Sequence, residues 1–249
     1  MNIRPVLNIH SVQSGLLLIG LAAVLVAQGC AQPDDSKRPL VAITFDVTDS
    51  TKDLRPGFVE LSDQLVDREL APGCPIIARH FESETRSSPF FQGRALDLDG
   101  FHQGVEAVLK QGAGVGTPGE PVLNAVKEDA AAALAQKRPF IAVILTDGGF
   151  DDLASLSRQA KELAKSPNLA RIFIFPVTDE GEFAQRLKDA LAPLGDRVRI
   201  ATLHDAQVAL GELHTLQEQL ANQETPEEKV GQGGIKAGTE VTTGTEVSK

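Results

Sequence analysis

The sequence predicts an α/β fold: a doubly wound, mostly parallel sheet with helices on both faces, a three-layer sandwich. Apolar runs of strand length alternate with segments of helical periodicity over residues 39–221. Most residues of these runs are apolar, which is typical of parallel strands that are buried on both faces. Acidic residues follow the ends of two of these runs, and such folds bind ligands at the carboxyl ends of their strands.

Each element follows from its local pattern. Phe58, Leu61 and Leu65 lie at helical spacing, and Pro56 suits a first helical turn. The segment 85–98 is ambiguous, and its run 89–91 is compatible with a short third strand. The same reasoning predicts strands over 40–45, 75–81, 140–145, 170–177 and 197–201, and helices over 56–70, 100–111, 120–136, 153–164, 182–194 and 206–221.

The amino terminus has the pattern of an export signal. The apolar run 15–27 is short for a membrane span but suits a signal peptide. It ends in Ala-Gln-Gly-Cys, which resembles the cleavage box of bacterial lipoproteins and implies cleavage before Cys30 and lipidation of Cys30. Cleavage near Gly29 by ordinary signal peptidase and an uncleaved anchor remain open, and all three interpretations export the protein. Ala31 resembles an outer-membrane sorting signal, so we expect a lipid-anchored protein of the cell envelope.

The predicted organisation is a signal peptide (1–29), a tether (30–38), one folded domain (39–221) and a tail (222–249). The tail is rich in Glu, Thr, Gly and Lys and has almost no large apolar residue, which is typical of disordered segments. If Cys30 is lipidated, Cys74 has no partner for an internal disulfide, so we expect a buried thiol there.

The composition excludes several functions. The net charge is -10, and the aromatic residues are all Phe at 4% of the chain, which together argue against a nucleic-acid partner.

Gly114, Gly116 and Gly119 have the spacing of a dinucleotide-binding loop. They follow a predicted helix rather than a strand, so we expect no nucleotide cofactor.

Oxygen-bearing side chains gather after the predicted strands. Asp46, Thr48 and Ser50 follow the first strand, and Asp147 follows the strand over 140–145. Thr117 lies in a glycine-rich loop just before a helix. Small oxygen ligands suit a hard cation such as Mg²⁺, and two neighbouring carboxylates need a cation or a proton between them.

These three segments resemble the von Willebrand factor type A domain with its metal-ion-dependent adhesion site. The order of the motifs agrees, and Thr117 lies 71 residues after Asp46 and 30 before Asp147. The resemblance covers residues 39–221. It implies that Thr48, Ser50 and Thr117 bind the metal through their hydroxyls, with Asp46 and Asp147 holding it directly or through water. It also implies that an Asp or Glu of a protein partner completes the coordination of Mg²⁺, or of Mn²⁺ or Ca²⁺.

Two other interpretations remain open. The loop at Asp46 also resembles the nucleophile loop of haloacid-dehalogenase-like phosphohydrolases, in which Asp46 would attack phosphorus beside Mg²⁺. Those soluble phosphatases need a second Asp two places on, where this chain has Thr48. The other alternative is a structural α/β module that binds no metal. We therefore expect a binding protein rather than an enzyme.

Overall fold

The computed structural model describes residues 37–82, 89–111, 114–178 and 182–222. The predicted signal peptide, Cys30 with most of the tether, and the tail beyond Asn222 lie outside these residues. Among the described residues, no helix is long and apolar enough to cross a membrane.

Six strands and six α-helices lie within the residues that the structure describes. The strands are β1 (Leu40–Asp46), β2 (Pro75–Phe81), β3 (Pro89–Arg94), β4 (Phe140–Leu145), β5 (Leu169–Phe175) and β6 (Val198–Ile200). The helices are α1 (Arg55–Gln64), α2 (Leu98–Gln111), α3 (Gly119–Ala135), α4 (Leu153–Leu163), α5 (Glu182–Leu191) and α6 (Ala206–Ala221). Short 3-10 helices span Asp49–Leu54 and Ala192–Arg197.

The strands form one sheet in the order β3-β2-β1-β4-β5-β6. All neighbouring pairs are parallel except β2 and β3, which are antiparallel. Side chains alternate between the two faces of each strand. In β1, Val41, Ile43 and Phe45 pack against α1, α2 and α6, whereas Leu40 and Ala42 pack against α3, α4 and α5. The predicted three-layer fold is confirmed.

The strand order reverses at β1, which lies between β2 and β4. Such a switch point opens a crevice at the carboxyl ends of the strands, because the connecting chains leave in opposite directions. Phe45 is aligned with Leu145, so the residues that follow β1 and β4 emerge side by side.

Several elements differ from the sequence-based expectation. The bounds of β5 and β6 are shifted by one or two residues, and the helix expected over 182–194 ends at Leu191 and is followed by a 3-10 helix. The segment that was ambiguous contains β3, which extends to Arg94 and forms an antiparallel edge. The helix expected over 56–70 begins with a 3-10 helix before α1 and ends in a π-helical turn, Leu65–Glu69. Helical periodicity indicates a buried face but does not distinguish these hydrogen-bond patterns from the α-helical one.

Both ends of the domain lie at the edge of the sheet opposite the switch-point crevice. Arg38, which precedes β1, donates to the carbonyl of Pro72 at 2.6 Å, just before β2 begins. Near the end of α6, the side-chain amide of Gln217 donates to the carbonyl of Glu69 at 2.9 Å. The chain therefore enters and leaves the domain at the amino ends of the strands.

Candidate metal centre

The first loop of the candidate site follows β1. Asp46 is fully buried, and its Oδ1 accepts from the amide of Thr48 at 3.0 Å and from the hydroxyl of Thr48 at 2.6 Å. The hydroxyl of Thr51 donates to the carbonyls of Asp46 and Thr48, both at 2.9 Å. These bonds close a tight turn that holds the Thr48 hydroxyl next to the Asp46 carboxylate.

The second loop follows β4. The hydroxyl of Thr146 donates to Asp46 Oδ2 at 2.7 Å and accepts from the amide of Gly148 at 3.0 Å. The next residue, Asp147, is buried, and its Oδ1 accepts from the amide of Gly149 at 2.8 Å. Gly148 has a φ of 84°, a left-handed conformation that glycine adopts without strain. Thr146 therefore links the loops that carry the two predicted carboxylates.

The third loop is the glycine-rich segment before α3. The amide of Asp49 donates to the carbonyl of Gly114 at 3.0 Å, and Thr48 and Gly114 form an isolated parallel bridge. This pairing lies beside the buried side chain of Thr117, whose hydroxyl is 3.4 Å from that of Thr48.

The three loops bring most of the predicted ligands together around Thr48. The hydroxyl oxygen of Thr48 is 2.6 Å from Asp46 Oδ1, 3.1 Å from the hydroxyl of Ser50 and 3.4 Å from that of Thr117. Asp147 belongs to the same edge, and its negative charge acts on Asp46. All five residues singled out from the sequence are thus at the carboxyl ends of β1 and β4.

The electrostatics of this cluster favour positive charge. The pKa of Asp46 is raised to about 6: burial is the main cause, the charge of Asp147 adds a smaller rise, and hydrogen bonds from Thr48 and Thr146 act in the opposite direction. A carboxylate that is desolvated beside a second one is stabilised by a proton or by a cation. A cation bound at this edge would offset the negative charge of Asp46 and Asp147.

The donor set decides which cation fits. Within the described ranges, no group of three or more His, Cys, Asp or Glu side chains could hold a metal ion. The cluster at Thr48 instead offers three hydroxyls and two carboxylates, all hard oxygen donors. This set fits Mg²⁺ or Mn²⁺, which accept oxygen ligands and retain water, and does not fit zinc, which prefers nitrogen and sulfur.

Three residues that sequence reasoning missed support the site. Thr146 joins the two acidic loops. Arg55 donates to the carbonyls of Val47 at 2.9 Å and Leu109 at 3.0 Å, and so fastens the first loop to the end of α2. Asp151 accepts from the amide of Thr117 at 2.6 Å.

Comparison with known protein families and with curated proteins gives no match. Solved structures do match, at low identity. A von Willebrand factor type A protein from Catenulispora acidiphila superimposes with a TM-score of 0.56 at 14% identity, covering 76% of this chain and 44% of that one. This chain therefore spans less than half the length of that relative.

Two further structures have the same fold. An aerotolerance-related membrane protein from Bacteroides fragilis, carrying multiple mutations to serine, gives a TM-score of 0.52 at 13% identity and covers 73% of this chain and 99% of that one. The manganese-loaded TRAP protein of Plasmodium vivax gives 0.50 at 12% identity and covers 70% and 72%. The chain has the fold of von Willebrand factor type A domains.

Proposed function

We propose that this protein is an exported, lipid-anchored binding module that captures a protein partner through a divalent cation. The observation that carries the proposal is that the hydroxyl of Thr48 lies close to those of Ser50 and Thr117 and to the carboxylate of Asp46. Asp147 is near enough for its charge to act on Asp46. The manganese-loaded TRAP protein supports it, because a protein of the same fold binds a divalent cation.

The proposed mechanism is ligation. Thr48, Ser50 and Thr117 would hold the cation through their hydroxyls. Asp46 and Asp147 would offset part of its positive charge, directly or through water. A bound Mg²⁺ or Mn²⁺ would supply a Lewis-acid position for an Asp or Glu of the partner. Because neutral hydroxyls make up most of the donor set, a cation held here keeps enough positive charge to attract one more anion.

The charge of the whole chain bears on partner choice. The net charge of -10 opposes an acidic partner at long range. Salt screens such repulsion beyond about 10 Å, so recognition depends on contacts at the site itself. The hydrogen bonds from Thr48 and Thr146 already orient Asp46, so the site is organised before a partner arrives.

The position of the chain ends agrees with anchoring. Arg38 and the end of α6 lie at the amino ends of the strands, opposite the candidate site. The segment that carries Cys30 precedes Arg38 in the chain, and Arg38 lies at the end of the domain opposite the candidate site. Similarity to a membrane protein of Bacteroides fragilis is compatible with an envelope location.

Calorimetric titration of the full chain in detergent with Mg²⁺ or Mn²⁺ tests the metal site. We expect binding by the wild type, loss of binding in Asp46→Ala, and retention in Asp49→Ala. Asp49 is an exposed acid in the same loop and a matched control, because its removal changes the net charge equally. Absence of binding by the wild type would contradict the proposal and favour a structural module.

Two further measurements address partner and anchor. A partner should co-purify with wild type and Asp49→Ala in Mg²⁺, and be absent in chelator and with Asp46→Ala. Hydrolysis of p-nitrophenyl phosphate that is lost in Asp46→Ala would favour the phosphohydrolase alternative instead. Growth with labelled palmitate should label the wild type and leave Cys30→Ala unlabelled, whereas an unlabelled wild type would remove the lipid anchor.

A further inference from the structure

Thr117 depends on its backbone for position. It lies in a glycine-rich loop outside any helix or strand, and Gly116 before it has a φ of 90°. The hydroxyl of a threonine follows its main chain closely, because a branched side chain is stiff at χ1. The main chain of Thr117 must therefore be held by other contacts if its hydroxyl is to stay 3.4 Å from that of Thr48.

Asp151 makes two hydrogen bonds to this one residue. Its Oδ2 accepts from the amide of Thr117 at 2.6 Å, and its own amide donates to the carbonyl of Thr117 at 3.1 Å. The two bonds hold the amide and the carbonyl of Thr117 at once. A bond to an ionised acceptor is roughly twice as strong as a neutral one, so the carboxylate contributes the larger share.

Asp151 is itself held in place by its neighbours. Phe150 is buried, stacks on Phe81 with ring centroids 6.4 Å apart, and donates its amide to the carbonyl of Gly148 at 2.8 Å. On the other side, Asp152 caps α4 by accepting from the amides of its first turn at 3.1 and 3.0 Å. Asp151 therefore lies on a short fixed segment between the Asp147 loop and α4.

The glycines of the Thr117 loop allow this close approach. A Cβ on Gly116 would lie 2.9 Å from Asp151 Oδ2, and one on Gly119 would lie 2.7 Å from the side chain of Leu156 in α4. Real Cβ atoms do not tolerate such contacts. The loop is therefore built to lie against the segment that carries Asp151.

We infer that Asp151 is a positioning residue that fastens the Thr117 loop to the Asp147 loop, so that both present their ligands together. The inference rests on the proposed function, in which Thr117 and Asp147 serve the same cation. Asp151 acts through the peptide of Thr117 and is assigned no contact with the metal. Because Asp151 is exposed, its negative charge could also attract a cation at a distance, and the test must separate these two effects.

Neighbouring Asp152 provides the matched control. It is also exposed, and its removal changes the charge equally, yet it caps α4 and makes no described hydrogen bond to Thr117. The variants are Asp151→Ala, Asp151→Asn, which keeps a hydrogen-bond acceptor, and Asp152→Ala. Each is prepared as the full chain in detergent and measured by Mg²⁺ calorimetry and, without metal, by hydrogen exchange at the Thr117 amide.

We expect Asp151→Ala to weaken Mg²⁺ binding about 10- to 100-fold, as loss of a residue that orients a metal ligand commonly does. Asp152→Ala should change it less than about threefold, since distant exposed charges are screened. Asp151→Asn should recover most of the affinity. In the metal-free protein, the Thr117 amide should exchange faster in Asp151→Ala than in the wild type or Asp152→Ala.

Equal losses of Mg²⁺ affinity in Asp151→Ala and Asp152→Ala would overturn the inference, because the loss of one negative charge would then explain the weaker binding by itself. Unchanged exchange at the Thr117 amide in Asp151→Ala would overturn it as well. A wild type that binds no Mg²⁺ would refute the proposed function, and the exchange measurement would then decide by itself whether Asp151 fixes the loop.

Discussion

Replacing Thr146 by valine removes one oxygen from the base of the candidate site while nearly conserving shape. That oxygen donates to Asp46 Oδ2 at 2.7 Å and accepts from the amide of Gly148 at 3.0 Å, and Thr146 is fully buried. Losing a bond to an ionised acceptor costs about 1.5–3 kcal/mol, and a buried amide without a partner costs about 1–3 kcal/mol. We therefore expect Thr146→Val to lower the free energy of unfolding by about 3 kcal/mol.

Urea unfolding at pH 7.5 in chelator measures this effect, since Asp46 with a pKa of about 6 is then largely ionised. Thr146→Ser is the matched control: it keeps the hydroxyl and loses only a methyl group, worth about 1 kcal/mol. Equal stability of the Val and Ser variants would show that the hydroxyl does not support the two loops, and the reasoning for this part of the site would be refuted.

Three other perturbations have defined outcomes. Arg55→Met removes the bonds that fasten the first ligand loop to α2, so Mg²⁺ affinity measured by calorimetry should fall by about 10-fold or more; an unchanged affinity would contradict this role. Arg79 and Asp129 form a buried pair with contacts of 2.9 and 2.6 Å. Asp129→Ala should cost about 3–5 kcal/mol in urea unfolding, and Arg79→Met with Asp129→Leu should recover most of it; a double variant no more stable than the single one would argue against the pairing. Burial lowers the pKa of His80, so its contribution to stability is complete above the ordinary value of about 6.5 and is lost as the pH falls below it. The unfolding free energy of His80→Phe should therefore depend less on pH between 7.5 and 5.5 than that of the wild type, and identical profiles would exclude His80 as the cause.

Local pattern was sufficient for the buried strands. The bounds predicted for β2 and β4 agree with the structure. In β4 the reason is that a continuous apolar run can be buried on both faces only in a central strand. It was insufficient for β3, where half-exposed residues and Gly93 interrupt the apolar run. An edge strand has a neighbour on one side alone, so its sequence carries a weaker signal.

Some residues of the candidate site could likewise be predicted from the sequence, and others could not. The five proposed ligands lie in motifs that follow strand ends or precede a helix, and the resemblance to von Willebrand factor type A domains named them from the order and spacing of those motifs. Thr146, Arg55 and Asp151 act on residues in other loops, at sequence separations of 100, 54 and 34. No periodicity encodes such pairings, because they arise only when the crossovers bring the loops to one edge.

The sequence by itself determined most of the strands and helices and which oxygen donors are available, since burial and ligand chemistry depend on residue type and local order. The tertiary structure alone decided that Thr48 stands at the centre of the cluster. It also decided that burial raises the pKa of Asp46 to about 6, and that Asp151 accepts a hydrogen bond from the amide of Thr117 in the third loop. The physical reason is that distance, burial and hydrogen bonding between separate loops depend on the strand order of the sheet, and residue spacing along the chain does not specify that order.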